Sequence, residues 1–167
     1  MQDAQVWRVR EADWRALRDV RLRALADSPD AFGSTLEREQ AFGDAEWQEW
    51  AQEAAAGTAE ILVLAWLENE PVGIVGAFAE EGRDHIHLIA MWVAPQARRA
   101  GVGRALIEAV VAWAVEIGAP AVRLDVADDN VDARHLYDAS GFSSTGRTKQ
   151  YEDRPHLTTI ELERPTQ

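Results

Sequence analysis

The sequence predicts an α/β fold in which strands and helices interleave along one domain, residues 1–167. Three observations carry that expectation. At 167 residues the chain has the length of one domain, since domains run to about 100–200 residues. Short apolar runs of strand length recur between turns rich in Gly, Pro, Asn and Asp. Between them lie longer runs whose apolar residues return at helical spacing, with no internal repeat or low-complexity segment.

Val6-Trp7-Arg8-Val9-Arg10 alternates as a strand does. Asp13 is placed to cap a helix with apolar positions Trp14, Leu17, Val20, Leu22 and Leu25. Ser28-Pro29-Asp30-Ala31-Phe32-Gly33-Ser34-Thr35 ends that helix as a loop, because proline disfavours helix in the residue before it. Residues 36–56 are rich in Glu and Ala. Gly43-Asp44 predicts one broken helix or two short ones there, and Gly57 the stop.

Residues 61–67 and 72–79 predict a hairpin of apolar strands around Glu68-Asn69-Glu70-Pro71. Residues 85–93 predict another strand after the turn Glu80-Glu81-Gly82-Arg83-Asp84. Residues 101–117 carry Val102, Leu106, Ile107, Val110, Val111, Ala114 and Ile117 at helical period and stop at Gly118. A strand at 121–126 and a helix at 131–139 follow, and Gly141-Phe142 starts the return. Two last strands, 149–151 and 157–162, flank the turn Glu152-Asp153-Arg154-Pro155.

Composition narrows the function. Hydrophobic residues at 47% and charged residues at 28% are those of a folded globular chain. No apolar run reaches the roughly 18 residues of a membrane span, and the first residues do not read as a signal peptide, so a cytoplasmic protein with no membrane partner is expected. The absence of cysteine excludes disulfides, a thiolate nucleophile and cysteine-ligated metals. With no His-x-x-x-His pair either, no metal site is expected. A net charge of -12 speaks against a nucleic-acid partner and for cationic ones. Lys149 is the only lysine among 17 basic residues, which reads as genomic G+C bias and a bacterial origin.

The most specific segment runs from Trp92 to Leu106, where an apolar strand passes through a proline turn into a glycine-spaced helix start. Unpaired N–H groups at the positive end of that helix suit a pyrophosphate, with Arg98, Arg99 and Arg104 near it. The other use of the same glycines is close packing of helix on strand, with the arginines solvated. No Gly-Lys-Ser/Thr follows, and Gly-x-Gly-x-x-Gly is incomplete, so neither a P-loop nor a dinucleotide fingerprint is present.

Arg98-Arg99-Ala100-Gly101-Val102-Gly103 resembles the Gln/Arg-x-x-Gly-x-Gly/Ala signature of the GNAT superfamily of acyl-CoA-dependent N-acetyltransferases. A second block resembles that family's Asn-x-x-Ala-x-x-Leu-Tyr-x-x-x-Gly-Phe pattern. It comprises Leu124-Asp125-Val126, Asn130-Val131-Asp132-Ala133-Arg134-His135-Leu136-Tyr137 and Gly141-Phe142. The resemblance is close over residues 61–142 and follows the element order of nearly the whole chain. It implies an α+β arrangement: a mixed, mostly antiparallel sheet of six to seven strands, flanked by helices and splayed between strands four and five. It also implies acetyl-CoA as co-substrate, direct transfer to a primary amine in a ternary complex, and a homodimer as an admissible state.

The resemblance further implies roles. Backbone groups of Met91 and Val93, flanking Trp92, would pair with pantetheine amides. The turn Arg98, Arg99, Ala100, Gly101, Val102, Gly103 and Arg104 would hold the pyrophosphate through its backbone, so loss of the Val102 side chain is expected to matter little. Asn130 would contact the cofactor arm, or simply cap the next helix. Tyr137 would protonate the departing thiolate, the alternative being a core tyrosine, and the Val93 N–H would stabilise the oxyanion. His87 would be the base, with His85 on the same strand face; the alternative is two half-buried strand histidines and a water chain in place of a base.

The acceptor site is expected between the loop 29–35 and the turn 151–156, with Phe32, Thr35, His85 and Tyr151 as substrate residues. Trp47 would extend its apolar wall, and Asp30, Glu37, Glu152 and Asp153 would add negative charge. A small cationic amine is the expected acceptor. Alternatives are a protein N-terminus or lysine, or a non-catalytic acyl-CoA sensor.

Overall fold

Uninterrupted apolar runs make strands covered on both faces, and alternating runs make strands with one wet face. A computed structural model describes residues 3–79 and 85–167; the turn expected at 80–84 lies outside the described residues. The strands are β1 (Gln5–Arg8), β2 (Glu60–Leu67), β3 (Glu70–Ala79), β4 (His85–Val93), β5 (Ala121–Ala127), β6 (Ser143–Gln150) and β7 (Thr158–Pro165). The helices are α1 (Trp14–Asp27), α2 (Leu36–Gln40), α3 (Asp44–Ala56), α4 (Val102–Glu116) and α5 (Val131–Ala139). The sheet runs β1-β2-β3-β4-β5-β7-β6, antiparallel except where β4 meets β5.

Residues 61–65 and 72–77 are buried without a break, so β2 and β3 are sandwiched. α1 and α3 pack on one another and onto these strands, while α4 lies across β2, β3 and β4. The apolar face of α4 puts Leu106, Ile107, Val110, Trp113 and Ala114 into the core. Each such aliphatic side chain contributes roughly 1.5–3 kcal/mol by leaving water. In β5 burial alternates instead: Val122, Leu124 and Val126 go inward, while Arg123 and Asp125 stay on the wetter face.

The parallel pairing of β4 and β5 covers only His85, Ile86 and His87 against Ala121, Val122 and Arg123. Beyond it β4 bulges. Gly76 pairs with Ile89 and Ile74 with Trp92, so three steps on β4 answer two on β3, and Ala90 takes φ 56°. A bulge of this kind bends the strand and increases its twist. β4 therefore turns away from β5, which continues along β7.

The expected break in residues 36–56 resolves into two helices, α2 and α3. β6 differs more. The pattern predicts a strand only at 149–151, whereas pairing to β7 begins at Ser143. Every residue of Ser-Ser-Thr-Gly-Arg-Thr-Lys-Gln is exposed, so this edge strand has no apolar alternation to read; backbone bonds to β7 create it.

Arg21 on α1 is held by Glu39 on α2 through two hydrogen bonds of 2.8 and 3.0 Å, both side chains being buried. The guanidinium also lies over Phe32 at 4.6 Å and Trp50 at 5.4 Å, so one cation ties α1, α2, α3 and the loop between them. Removing one partner strands a buried charge. Glu39→Ala is expected to cost about 3–5 kcal/mol in urea unfolding, and R21M/E39L to recover most of it. An unchanged midpoint for Glu39→Ala would show that the pair carries no stability.

Candidate active site

The parting of β4 from β5 opens a cleft of about 730 Å³. Leu88, Ile89, Ala90 and Met91 form one edge and residues 124–127 the other. Asn130, Leu136 and Tyr137 come from the α5 side, and the loop 28–33 and turn 151–157 close the far end. The backbone beyond Leu88 has no β5 partner, so its polar groups there are available to something else.

At the near end the chain leaves β4, makes a short turn at Pro95–Ala97 and enters α4. Arg99 and Gly101 both have positive φ, 63° and 81°. Only open space lies where a Gly101 side chain would stand, and the first helical bond from this turn is Ala105 N–H to the Gly101 carbonyl, 3.0 Å. The N–H groups of residues 101–104 are thus the unspent donors of a helix start. Gly103 serves a different end: a Cβ there would stand 2.8 Å from Leu136 and 3.3 Å from Met91, so glycine lets α4 approach α5 and the cleft wall. The side chain of Val102 is 1% exposed, which corrects the expectation that its loss matters little; it is core.

Three donors converge on one oxygen of Asp27, the last residue of α1. They are Trp92 Nε1 at 2.9 Å, Arg98 Nη2 at 2.8 Å and Ser28 Oγ at 2.8 Å. Arg98 Nε also donates to the Val93 carbonyl at 2.8 Å. Trp92 and Arg98 thus brace the strand end, and the Val93 carbonyl already has a partner. The Val93 peptide faces away from β3, since the next N–H, that of Ala94, bonds Val72 O at 2.7 Å. Ala100 and Arg104 are exposed along the turn.

Asn130 Oδ1 accepts from Ala133 N–H at 3.1 Å, so it caps α5 while also lining the cleft. Tyr137 is 5% exposed and packs edge-on against Phe142 at 5.6 Å, yet it also borders the cleft. Burial pushes its phenol above the usual tyrosine range, so it stays protonated and able to donate.

His87 stands where the two strands separate, its Nε2 lying 3.4 Å from Asp125 Oδ2 and its ring 5.4 Å from Phe78. His85, two residues earlier, pairs with Ala121 and is not among the residues that line the cleft. At the far end His156 Nε2 meets Asp30 Oδ2 at 3.0 Å, and Arg154 Nη1 donates to the Phe32 carbonyl at 3.3 Å. The loop and the turn are therefore joined. Phe32 and Tyr151 line the cleft, whereas Thr35 caps α2 through Arg38 N–H and Trp47 is fully buried beside Phe42 and Trp50.

Sequence reasoning gave no role of their own to Asp27, Asp125 and Arg154. Asp125 left a signal, a lone acid two residues past Arg123 in an alternating strand; Asp27 left none. Among the described residues no group of three or more His, Asp or Glu could hold a metal ion.

Trp92 first, then Ser28, and Arg98 after them hold the Asp27 carboxyl below the usual range, against the opposing effect of burial. A lowered carboxylate contributes stability above its unfolded pKa of about 3.9 and loses it as pH falls through the folded value. Asp27→Asn is therefore expected to lower Tm at about pH 7 and to converge on wild type as pH falls below about 3.9. A constant gap in Tm across that range would refute the linkage.

Residues 14–142 match the model of the Acetyltransferase (GNAT) family. The N-acetylaspartate synthetase of Danio rerio is 32% identical over 107 residues, 64% of this chain and 38% of that relative, so the chain spans well under half of its length. A GNAT-family acetyltransferase from Streptococcus pneumoniae has the same fold at a TM-score of 0.81 and 20% identity, over 98% of this chain and 99% of that one. The paia N-acetyltransferase of Thermoplasma acidophilum, solved in complex with coenzyme A, follows at 0.74 and 12% identity, over 98% and 99%. The family match takes in the strand that bulges, the turn that leaves donors unspent and the helix that carries Tyr137: this chain belongs to the GNAT acetyltransferase family.

Proposed function

We propose that the protein transfers an acetyl group from acetyl-CoA directly to the primary amine of a small molecule that arrives as a cation, with both substrates bound together. The observation that carries this reading is the cleft between β4 and β5, onto which the Ala90 bulge, His87 and Tyr137 all open. The N-acetylated small molecule in the name of the Danio rerio relative supports an acceptor of that size. The net charge of -12 supports cation capture. The arginine-rich, cysteine-free composition fits an enzyme of the bacterial cytoplasm.

The residues present suit the co-substrate. Donors at 101–104, with open space over Gly101, fit a pyrophosphate, and the β5-side edge of β4 at Met91 and the Val93 N–H, with Asn130 opposite, fits an amide-bearing arm. Acetyl-CoA supplies the activated thioester carbonyl. Trp92 and Arg98 act through Asp27, fixing the strand end from which the Val93 N–H would meet the charge that gathers on the carbonyl oxygen.

His87 takes a proton from the incoming ammonium, directly or through one water, and Asp125 offsets the charge it gains. The freed nitrogen lone pair bonds the acetyl carbon, the carbon–sulfur bond breaks with its electron pair leaving on sulfur, and the nitrogen sheds its remaining surplus proton to water to give the neutral amide. Tyr137 gives its phenolic proton to that sulfur. Solvent then returns the proton held by His87 to the Tyr137 phenolate, which restores both groups.

Thiol release from acetyl-CoA over a panel of polyamines, aminoglycosides, amino acids and short peptides tests the reading. Turnover is expected with small amines and not with peptides; peptide-only turnover would overturn the choice of acceptor. Tyr137→Phe keeps the packing and removes the proton. It is expected to lower kcat about 100-fold, a usual share for general acid catalysis, with acetyl-CoA affinity unchanged. Full turnover in that variant at every pH would remove Tyr137 as the acid.

A further inference from the structure

Among the described residues four basic side chains line the cleft, and three of them have a carboxylate within 3.4 Å. Arg21 is spent on Glu39, His156 on Asp30, and His87 lies beside Asp125. Arg154 differs. Among the described residues, the one carboxylate within 4.0 Å of its guanidinium is that of Asp153, at 3.9 Å on a side chain 80% exposed to water. Its own side chain is only 24% exposed.

Arg154 is nevertheless held in place. Its guanidinium lies over the Tyr151 ring at 5.0 Å, and Nη1 reaches the Phe32 carbonyl at 3.3 Å. An arginine stacked on an aromatic face keeps its N–H edges free in the plane, where a carboxylate meets them as a fork. Lys149 lies over the same Tyr151 ring at 5.0 Å, which adds a second positive charge to this turn of an acidic protein.

We propose that the acceptor carries a carboxylate besides its amine, an amino-acid-type molecule, and that Arg154 binds that carboxylate. The inference rests on the amine-transfer reading and sharpens it: Asp125 and His87 stand where the ammonium must arrive, and Arg154 lies at the outer end of the same cleft. One guanidinium without a close carboxylate suits a single carboxylate ligand better than a phosphate dianion, which draws on several cations.

Matched triples test this: an amino acid, its amide and the amine left by decarboxylation, for side chains of alanine, aspartate, phenylalanine and lysine type, each assayed by thiol release from acetyl-CoA. In at least one triple the acid is expected to show a KM at least about tenfold below those of its two partners, the range of one charge-assisted hydrogen bond. Arg154→Leu is expected to erase that difference by raising KM for the acid at least about tenfold more than KM for the amide, with acetyl-CoA affinity unchanged. Arg154→Lys keeps the charge without the fork and is expected to fall between them.

Turnover without any preference for the acid, or a preference that survives Arg154→Leu, overturns the inference and leaves amine transfer standing. Silence in every triple while acetyl-CoA still binds overturns both. The wild-type comparison decides the question even if the leucine variant fails to fold.

Discussion

β4 and β5 hydrogen-bond over three residues and then separate, and every feature of the site depends on that separation. Had the ladder continued, the backbone of residues 88–93 would be spent on β5 and no cleft would exist. The bulge at Ala90 enforces the break by placing a non-glycine residue in the left-handed region, at a cost of about 1–2 kcal/mol. What the fold obtains is a strip of unpaired peptide edge beside apolar walls. Such groups are unfavourable in apolar surroundings without a partner, and a ligand rich in amides is a natural one.

Holding that strip in place falls to Asp27 more than to any residue inside the cleft. One carboxylate oxygen gathers the indole of Trp92, the guanidinium of Arg98 and the hydroxyl of Ser28, fastening the end of α1 to the end of β4 and the turn before α4. α1 also carries Arg21, whose pairing with Glu39 and stacking on Phe32 order the loop that closes the opposite end. The turn before α4 and the loop 28–33 thus share one helix as support. Rigid elements with interlocked side chains hold a site more accurately than loops alone.

The charges follow a consistent division. A chain of net charge -12 attracts cations over distances of a Debye length, about 10 Å. Within the cleft the pairings are local and nearly complete, which leaves Arg154 and the Asp125–His87 pair as the groups with the most to offer a polar ligand.

Some of this was legible in the sequence because backbone demands leave local marks. Gly101 must adopt positive φ, Gly103 must let two helices approach, and Asn130 must cap a helix; these recur as spaced letters whatever surrounds them. The apolar runs of β2 and β3 likewise announce strands covered on both faces. β6 was not legible because it is made by pairing alone, with every residue exposed. The same distinction holds for side-chain contacts. Arg98 meets Asp27 from 71 residues away and His156 meets Asp30 from 126. Trp47 and Val102 turned inward, and Thr35 was taken by a helix start. By itself the sequence determined most of the elements, their order, and the glycine turn and helix cap that flank the cleft, since each depends on residues within a few places of one another. Only the tertiary structure decided which side chains meet, because a contact across a hundred residues is set by how layers pack and leaves no periodicity along the chain.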